Sequence, residues 1–226
     1  EVDAINEPHR PIPSGRIPGR WGLYIGIVWS VLSLIVAFTL GKVVLIATII
    51  GLVLAWAYSA PPLRLKQNGW WGNSAVGACY EGLPWVTGAA VVSAGQLPDN
   101  RIILMAALYS AGAVGIMILN DFKSIKGDTE LGLKSIPVQL GAENAARFAC
   151  VVMTLAQLIV IVMLARWGQL LIAGLVGFML LTQLWLMRRY LKDPEGLAPW
   201  YNKTGISLYV LGMLASALAL RMIIQA

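Results

Sequence analysis

The stretch IILMAALYSAGAVGIMIL, residues 102–119, contains no charged side chain and is followed directly by Asn120-Asp121. A helix of that length rises about 27 Å, which is close to the thickness of a bilayer's hydrocarbon core. Six other apolar runs have a similar character, at residues 21–40, 43–58, 75–94, 145–164, 170–187 and 204–224. The sequence therefore predicts an all-α integral membrane protein with seven transmembrane helices.

The composition supports this class. Hydrophobic residues make up 58% of the 226 residues, charged residues make up 12%, and the mean hydropathy is +0.72. These values exclude an ordinary soluble protein. We expect residues 1–226 to form one transmembrane domain. Cys79 and Cys150 lie in apolar stretches without metal-ligand spacing, which argues against a disulfide framework or a zinc site. The chain begins at Glu1 without a visible signal peptide, so we expect its natural start to lie upstream.

The basic residues predict the orientation. Most of the 17 Lys and Arg residues lie in the loops at 1–20, 59–74, 120–144 and 188–203, which fall on one side of a seven-span protein. Loops rich in Lys and Arg stay in the cytoplasm. The net charge of +6 is thus mainly an orientation signal. Because these cations are scattered over four loops without a nucleic-acid-binding module, we expect no nucleic-acid partner.

Most acidic residues occupy the same loops. Asp121 and Asp128 are seven positions apart, within about 20° of two full helical turns, so both can face one cavity. Carboxylates with neighbouring Lys and Arg are suited to a magnesium-bound diphosphate. Structural salt bridges are the alternative interpretation. Glu81 is different, because it lies with Pro84 inside an apolar run. An unpaired charge there costs at least about 2.5–3.5 kcal/mol, so we expect a kinked or tilted span with Glu81 facing a cavity.

The first polar segment has the same mixture of side chains. If its start is helical, Asp3, Asn6 and Glu7 share one face, and Pro8 ends the helix. The following prolines would then present Arg10 from a constrained loop beside these acids. A solvated helix end with a proline-rich turn explains the local sequence equally well.

Three segments carry a family resemblance: DAINEPHRPIPSG at 3–15, YSAPPLRLKQNGWW at 58–71 and NDFKSIKGD at 120–128. They closely resemble the chlorophyll synthase branch of the UbiA-type intramembrane prenyltransferases, and the similarity runs along nearly the whole chain. CYEGLPWVTGAA at 79–90 and APWYN at 198–202 look more like bacteriochlorophyll synthases than like plant or cyanobacterial chlorophyll synthases.

The resemblance implies Mg²⁺-dependent transfer of a geranylgeranyl or phytyl group from its diphosphate to the propionate carboxylate of bacteriochlorophyllide a. It implies nine helices around a central cavity, so we expect the first two to be missing here. The implied metal-binding and catalytic residues are Asp3, Asp121 and Asp128. The implied substrate-binding residues are Asn6, Arg10, Arg64, Lys66, Asn120, Lys123, Lys134 and Glu81.

Two features depart from the family pattern. The residues expected upstream of Asp3 are absent, and Lys126 replaces a usual Glu. The resemblance further implies a multi-pass protein of the bacterial inner or intracytoplasmic membrane, with the active-site loops in the cytoplasm. The lipid bilayer and pigment-assembly proteins are its implied partners.

Three alternatives remain open. They are a chlorophyll a synthase, another UbiA-type prenyltransferase of quinone or haem biosynthesis, and a membrane transporter that is not an enzyme. A transporter would distribute charged residues through the bilayer depth, whereas here almost all of them lie at one face.

Overall fold

The computed structural model describes Ile5 and residues 7–225, and this part of the chain is helical without a β-strand. Asp3 and Asn6 lie outside the described residues. Six helical stretches in the described part are long and apolar enough to cross a membrane. The helices are α1 Gly19–Leu40, α2 Lys42–Ser59, α3 Gly69–Gly77, α4 Leu83–Val92, α5 Asn100–Asp121, α6 Ile125–Glu130, α7 Ile136–Leu140, α8 Ala142–Arg166, α9 Leu170–Tyr190 and α10 Pro194–Gln225.

The remaining predicted span is an interrupted helix. Helix α3 continues into a π-helical turn at Ala78–Gly82, and α4 follows directly. Pro84 at the start of α4 has no backbone N–H, and a π turn accommodates the lost helical hydrogen bond. Six of the seven predicted spans are thus matched by long apolar helices, and the run at 75–94 falls on this interrupted helix, where the irregularity expected around Glu81 and Pro84 is confirmed.

Helix α5 lies at the centre, between α3–α4 and α8, with α10 also against it. Small residues permit this close packing, as they do in other membrane helices. A Cβ atom at Gly115 of α5 would lie 2.7 Å from the backbone oxygen of Ala149 on α8. Helices α8 and α9 are joined by Gln157 and Gln183, whose fully buried amides exchange two hydrogen bonds of 3.0 Å.

The outer surface is apolar. Helix α1 buries only Ala37 and exposes large side chains that include Trp29 and Phe38. Such a surface is disfavoured in water and matches the hydrocarbon of a bilayer. The chain is thus a membrane protein with several spanning helices.

The start of α5 is fixed by a local cap. The Asp99 carboxylate accepts a hydrogen bond of 2.8 Å from the backbone N–H of Arg101 and two more from its guanidinium. These bonds stabilise the charged carboxylate and lower the pKa of Asp99 to about 2. The loop before α5 therefore has a defined end at the opposite face from Asp121.

Candidate active site

A polar cavity of about 360 Å³ lies at one end of the helices, where α2, α3 and α5 meet the loops that follow α2 and α5. We call this end of the molecule the cavity face. Polar side chains from distant parts of the sequence converge here. The described lining residues are Glu7, Arg10, Tyr58, Ser59, Lys66, Gly69, Gly72, Asn73, Met117, Asn120, Asp121, Lys123, Ser124, Asp128, Leu133 and Ser135.

Asp121 and Asp128 both face this cavity, although the helix between them is not continuous. Helix α5 ends at Asp121, a 3₁₀ turn covers Phe122–Ser124, and α6 carries Asp128. Asn73 of α3 donates a 2.9 Å hydrogen bond from Nδ2 to Oδ2 of Asp121. This contact fixes one carboxylate from a neighbouring span. Asp128 is buried beside Ser135.

Two loops are joined by backbone hydrogen bonds next to these carboxylates. Gly69 donates from N to the Lys134 carbonyl at 2.7 Å, and Lys134 donates from N to the Gln67 carbonyl at 2.9 Å. A Cβ atom at Gly69 would lie 2.5 Å from the backbone nitrogen of Ile136. Because backbone atoms cannot move aside as a flexible side chain can, this close approach requires glycine. The two loops consequently form one rim of the cavity.

Glu7 connects the first polar segment to this rim. Its carboxylate pairs with Arg10 and, at 3.3 Å, with Lys123 in the 3₁₀ turn. The two cations are therefore held at the cavity by one acidic side chain. Lys66 also lines the cavity and forms no ion pair with the described residues. It is consequently the cation best placed to meet an added anion.

The acidic side of the cavity suits a hard divalent cation. Asp121 and Asp128 form no ion pair within residues 7–225, and a buried carboxylate without a counter-charge is unfavourable. Their oxygens, together with the Asn120 carbonyl group, are the ligand types that Mg²⁺ prefers. Among the described residues, no group of three or more His, Cys, Asp or Glu side chains lies close enough together to hold a metal ion. The third acidic ligand implied by the resemblance, Asp3, lies outside them.

Several predicted residues are not brought into the cavity wall. Arg64 adopts a left-handed backbone conformation with φ of +42° before the turn that carries Lys66, and its side chain does not line the cavity. Lys134 contributes backbone hydrogen bonds while its side chain is exposed.

One residue of the cavity, Asn73, was not predicted from the sequence; its side chain is buried, with 5% exposed. A lone amide among apolar residues of a span is the sequence signal that could have revealed it.

Glu81 belongs to a second cavity of about 730 Å³. This cavity is mostly apolar and lies between α4, the start of α5 and the end of α10, with Trp85 and Arg221 also in its wall. Trp85 stacks on Tyr109, with ring centroids 5.5 Å apart. The Tyr109 hydroxyl in turn lies 2.7 Å from the Ser216 hydroxyl of α10. Glu81 therefore faces a cavity, as expected, but a different one from Asp121.

The sequence matches the UbiA prenyltransferase family over residues 1–202. This match agrees with the helical membrane fold and with a polar cavity at one end of it. The chain belongs to the UbiA prenyltransferase family, and it is a membrane enzyme that transfers a prenyl group. The transporter alternative is thereby set aside. Enzymes of this family generally use a divalent metal ion to bind the diphosphate.

Individual relatives define the branch. The chain is 56% identical over 220 residues to the bacteriochlorophyll synthase 33 kDa chain of Cereibacter sphaeroides, an alignment that covers 97% of this chain and 72% of the relative. It is 40% identical to the chloroplastic chlorophyll synthase of Avena sativa, covering 97% of this chain and 59% of that protein.

A solved structure supports the fold. A structure described as digeranylgeranylglyceryl phosphate synthase in membranes matches this protein with a TM-score of 0.71. The match covers 96% of this chain and 76% of the chain in that structure. The sequence identity is 21%, so this similarity concerns the fold alone.

Proposed function

We propose that this enzyme esterifies the propionate carboxylate of bacteriochlorophyllide a with a geranylgeranyl or phytyl group taken from the corresponding diphosphate. The main support for this chemistry is that Asp121, Asp128 and Lys66 line one polar cavity at the end of apolar helices. A prenyl diphosphate has the same division into a charged head and a long apolar chain. The higher identity to the bacterial enzyme than to the plant enzyme supports the bacteriochlorophyll acceptor.

In this proposal the acidic residues hold Mg²⁺. Asp121 and Asp128 supply carboxylate oxygens, Asn120 supplies an amide oxygen, and Asp3 and Asn6 contribute from the first polar segment. The bound ion would offset the charge of the diphosphate leaving group. Asn73 orients the Asp121 carboxylate through its 2.9 Å hydrogen bond.

The cations hold the phosphate oxygens. Lys66 lacks a carboxylate partner among the described residues and contacts the diphosphate directly. Arg10 and Lys123 share Glu7 and thereby keep fixed positions at the cavity. Positioned charges of this kind stabilise a leaving diphosphate without reorganising during the reaction. Arg64 and Lys134 lie outside the proposed diphosphate site.

The transfer itself requires no covalent bond to the enzyme. The acceptor carboxylate attacks C1 of the prenyl chain, the C1–oxygen bond to the diphosphate breaks, and an ester and free diphosphate are the products. The protein accelerates this transfer by holding the carboxylate and C1 close together at the polar cavity.

Glu81 is our candidate for contact with the acceptor ring. It lies in the π turn of the third span, and Trp85 in the same cavity offers an aromatic surface. A hydrogen bond from this region to a polar ring substituent would reject an acceptor that lacks the substituent, because the buried partner would remain unpaired.

We further propose that residues 1–226 act as a single domain in the bacterial inner or intracytoplasmic membrane, with the cavity face in the cytoplasm. The excess of Lys and Arg in the loops of that face supports this orientation. Pigment-assembly proteins are its proposed partners, since a hydrophobic pigment product has to be passed on within the membrane.

Substitution of the two carboxylates tests the site. Asp121→Asn and Asp128→Asn each keep the side-chain volume and remove a charged ligand, so we expect each to lower prenyl transfer by at least about 100-fold. Asp193→Asn is the matched control, because Asp193 is exposed and only caps the start of α10. Transfer near the wild-type rate in both cavity variants would refute the metal assignment.

The acceptor is tested by competition. Equal concentrations of bacteriochlorophyllide a and chlorophyllide a are incubated with the enzyme, Mg²⁺ and geranylgeranyl diphosphate, and the two esters are separated by mass. We expect bacteriochlorophyllide a to have the higher kcat/KM. Equal values, or preference for chlorophyllide a, would favour a chlorophyll a synthase and leave prenyl transfer intact.

A further inference from the structure

A separate basic pocket of about 330 Å³ lies at the cavity-face ends of α9 and α10. Arg188, Arg189 and Lys192 supply three positive charges, and Trp185 and Trp200 supply aromatic walls. None of these residues lines the polar cavity. The pocket is therefore outside the proposed site of prenyl transfer.

The charges in this pocket are not neutralised by the protein. Within the part of the chain that the structure describes, no carboxylate forms an ion pair with Arg188, Arg189 or Lys192. The Arg189 guanidinium instead lies 4.6 Å from the centre of the Trp200 ring. This cation–π contact holds the planar group while its N–H donors stay available for an anion.

An apolar stripe leads to the pocket along the outer surface of α9. Phe178, Leu181 and Trp185 are 69%, 67% and 68% exposed, and their spacing of three and four residues places them on one helix face. Arg188 and Arg189 continue the same face one turn later. A surface of this kind faces lipid, because the described protein does not cover it.

The order of these groups matches an anionic phospholipid. Acyl chains can pack along the stripe while the phosphate reaches the cations at its end. Basic pockets between membrane helices are suited to anionic headgroups, and tryptophan favours the level of the headgroups. We propose that this pocket is a binding site for the phosphate headgroup of an anionic phospholipid in the leaflet at the cavity face.

The test uses the purified protein in a neutral detergent and counts bound lipids by native mass spectrometry. Dioleoylphosphatidylglycerol is titrated as the anionic probe and dioleoylphosphatidylcholine as the zwitterionic one. We expect one phosphatidylglycerol to bind at least about tenfold more tightly than phosphatidylcholine. Each basic side chain near an anionic headgroup contributes to that difference.

A double variant and a matched control separate a built site from general attraction. Arg188→Gln with Arg189→Gln should weaken phosphatidylglycerol binding by about tenfold or more and leave phosphatidylcholine binding unchanged. Arg20→Gln with Arg147→Gln removes the same charge from positions outside the pocket and should have no effect. Lys192→Gln, at an exposed position beyond α9, gives an independent and smaller reduction.

Two outcomes would overturn the proposal. Equal phosphatidylglycerol affinity in the pocket variants and the control would show that the cations act only as general membrane anchors. Displacement of the lipid by millimolar inorganic phosphate, without a preference for phosphatidylglycerol, would show that the pocket recognises free phosphate. The result does not depend on turnover, so it is independent of the proposed prenyl transfer.

Discussion

Asn73→Ala isolates the contribution of a residue that only the structure connects to the site. The substitution removes the 2.9 Å hydrogen bond from Nδ2 of Asn73 to Oδ2 of Asp121 and leaves the carboxylates of Asp121 and Asp128 in place. A hydrogen bond to a charged acceptor contributes about 1.5–3 kcal/mol. Losing a group that orients a metal-binding carboxylate typically lowers metal affinity by about 10–100-fold. The two ranges agree, because about 1.4 kcal/mol corresponds to a tenfold change.

We therefore expect Asn73→Ala to raise the Mg²⁺ concentration for half-maximal activity by about 10–100-fold. Activity should recover largely at saturating Mg²⁺, because the Asp121 carboxylate itself remains. The assay measures prenyl ester formation over a Mg²⁺ titration at fixed substrate concentrations. Thermal unfolding of the same preparations reports whether the buried substitution has also lowered stability.

Asn144→Ala is the matched control. Asn144, at the start of α8, is exposed and donates only to the Leu140 carbonyl at the end of α7, so its loss should not change the Mg²⁺ requirement. If Asn73→Ala needed Mg²⁺ within about twofold of the wild-type concentration, Asn73 would not orient a metal ligand. The contact to Asp121 would then serve the packing of α3 against α5 alone.

Three further expectations concern orientation, packing and acceptor choice. The cysteine introduced by Thr129→Cys should react with an impermeant maleimide only from the cytoplasm, and the one introduced by Leu97→Cys only from the opposite side of the membrane. The reverse labelling pattern would invert the proposed topology. Gly69→Ala places a Cβ atom 2.5 Å from a backbone atom and should lower the free energy of unfolding by about 1–3 kcal/mol in thermal unfolding. Gly174→Ala is the control, because a Cβ atom there meets open space. Equal melting temperatures of the two variants would refute the close-approach argument. Glu81→Gln should reduce the preference for bacteriochlorophyllide a over chlorophyllide a by about tenfold in competition and leave the Mg²⁺ requirement unchanged. An unaltered preference would show that Glu81 does not contact the acceptor.

The sequence predicted the spans because a bilayer imposes a simple requirement on them. A crossing helix needs about 20 apolar residues wherever it lies in the fold. The run at 102–119 accordingly reappears within α5, and the loops between the runs carry the polar chemistry. Pro84 and Glu81 also marked the irregular span, since a missing N–H and a buried charge disturb a helix locally.

The sequence could not determine which polar side chains meet. Asp121 and Asp128 line one cavity because they are close along one chain segment, although the continuous helix assumed in that prediction is interrupted by a 3₁₀ turn. Asn73 and Asp121 are 48 positions apart, and only the packing of α3 on α5 brings them into contact. Lys134 lies in the expected loop, yet its backbone rather than its side chain holds the cavity rim. Helical periodicity fixes the direction in which a side chain points around the axis of its own helix. How one helix is rotated against its neighbour is decided by the packing of the whole bundle.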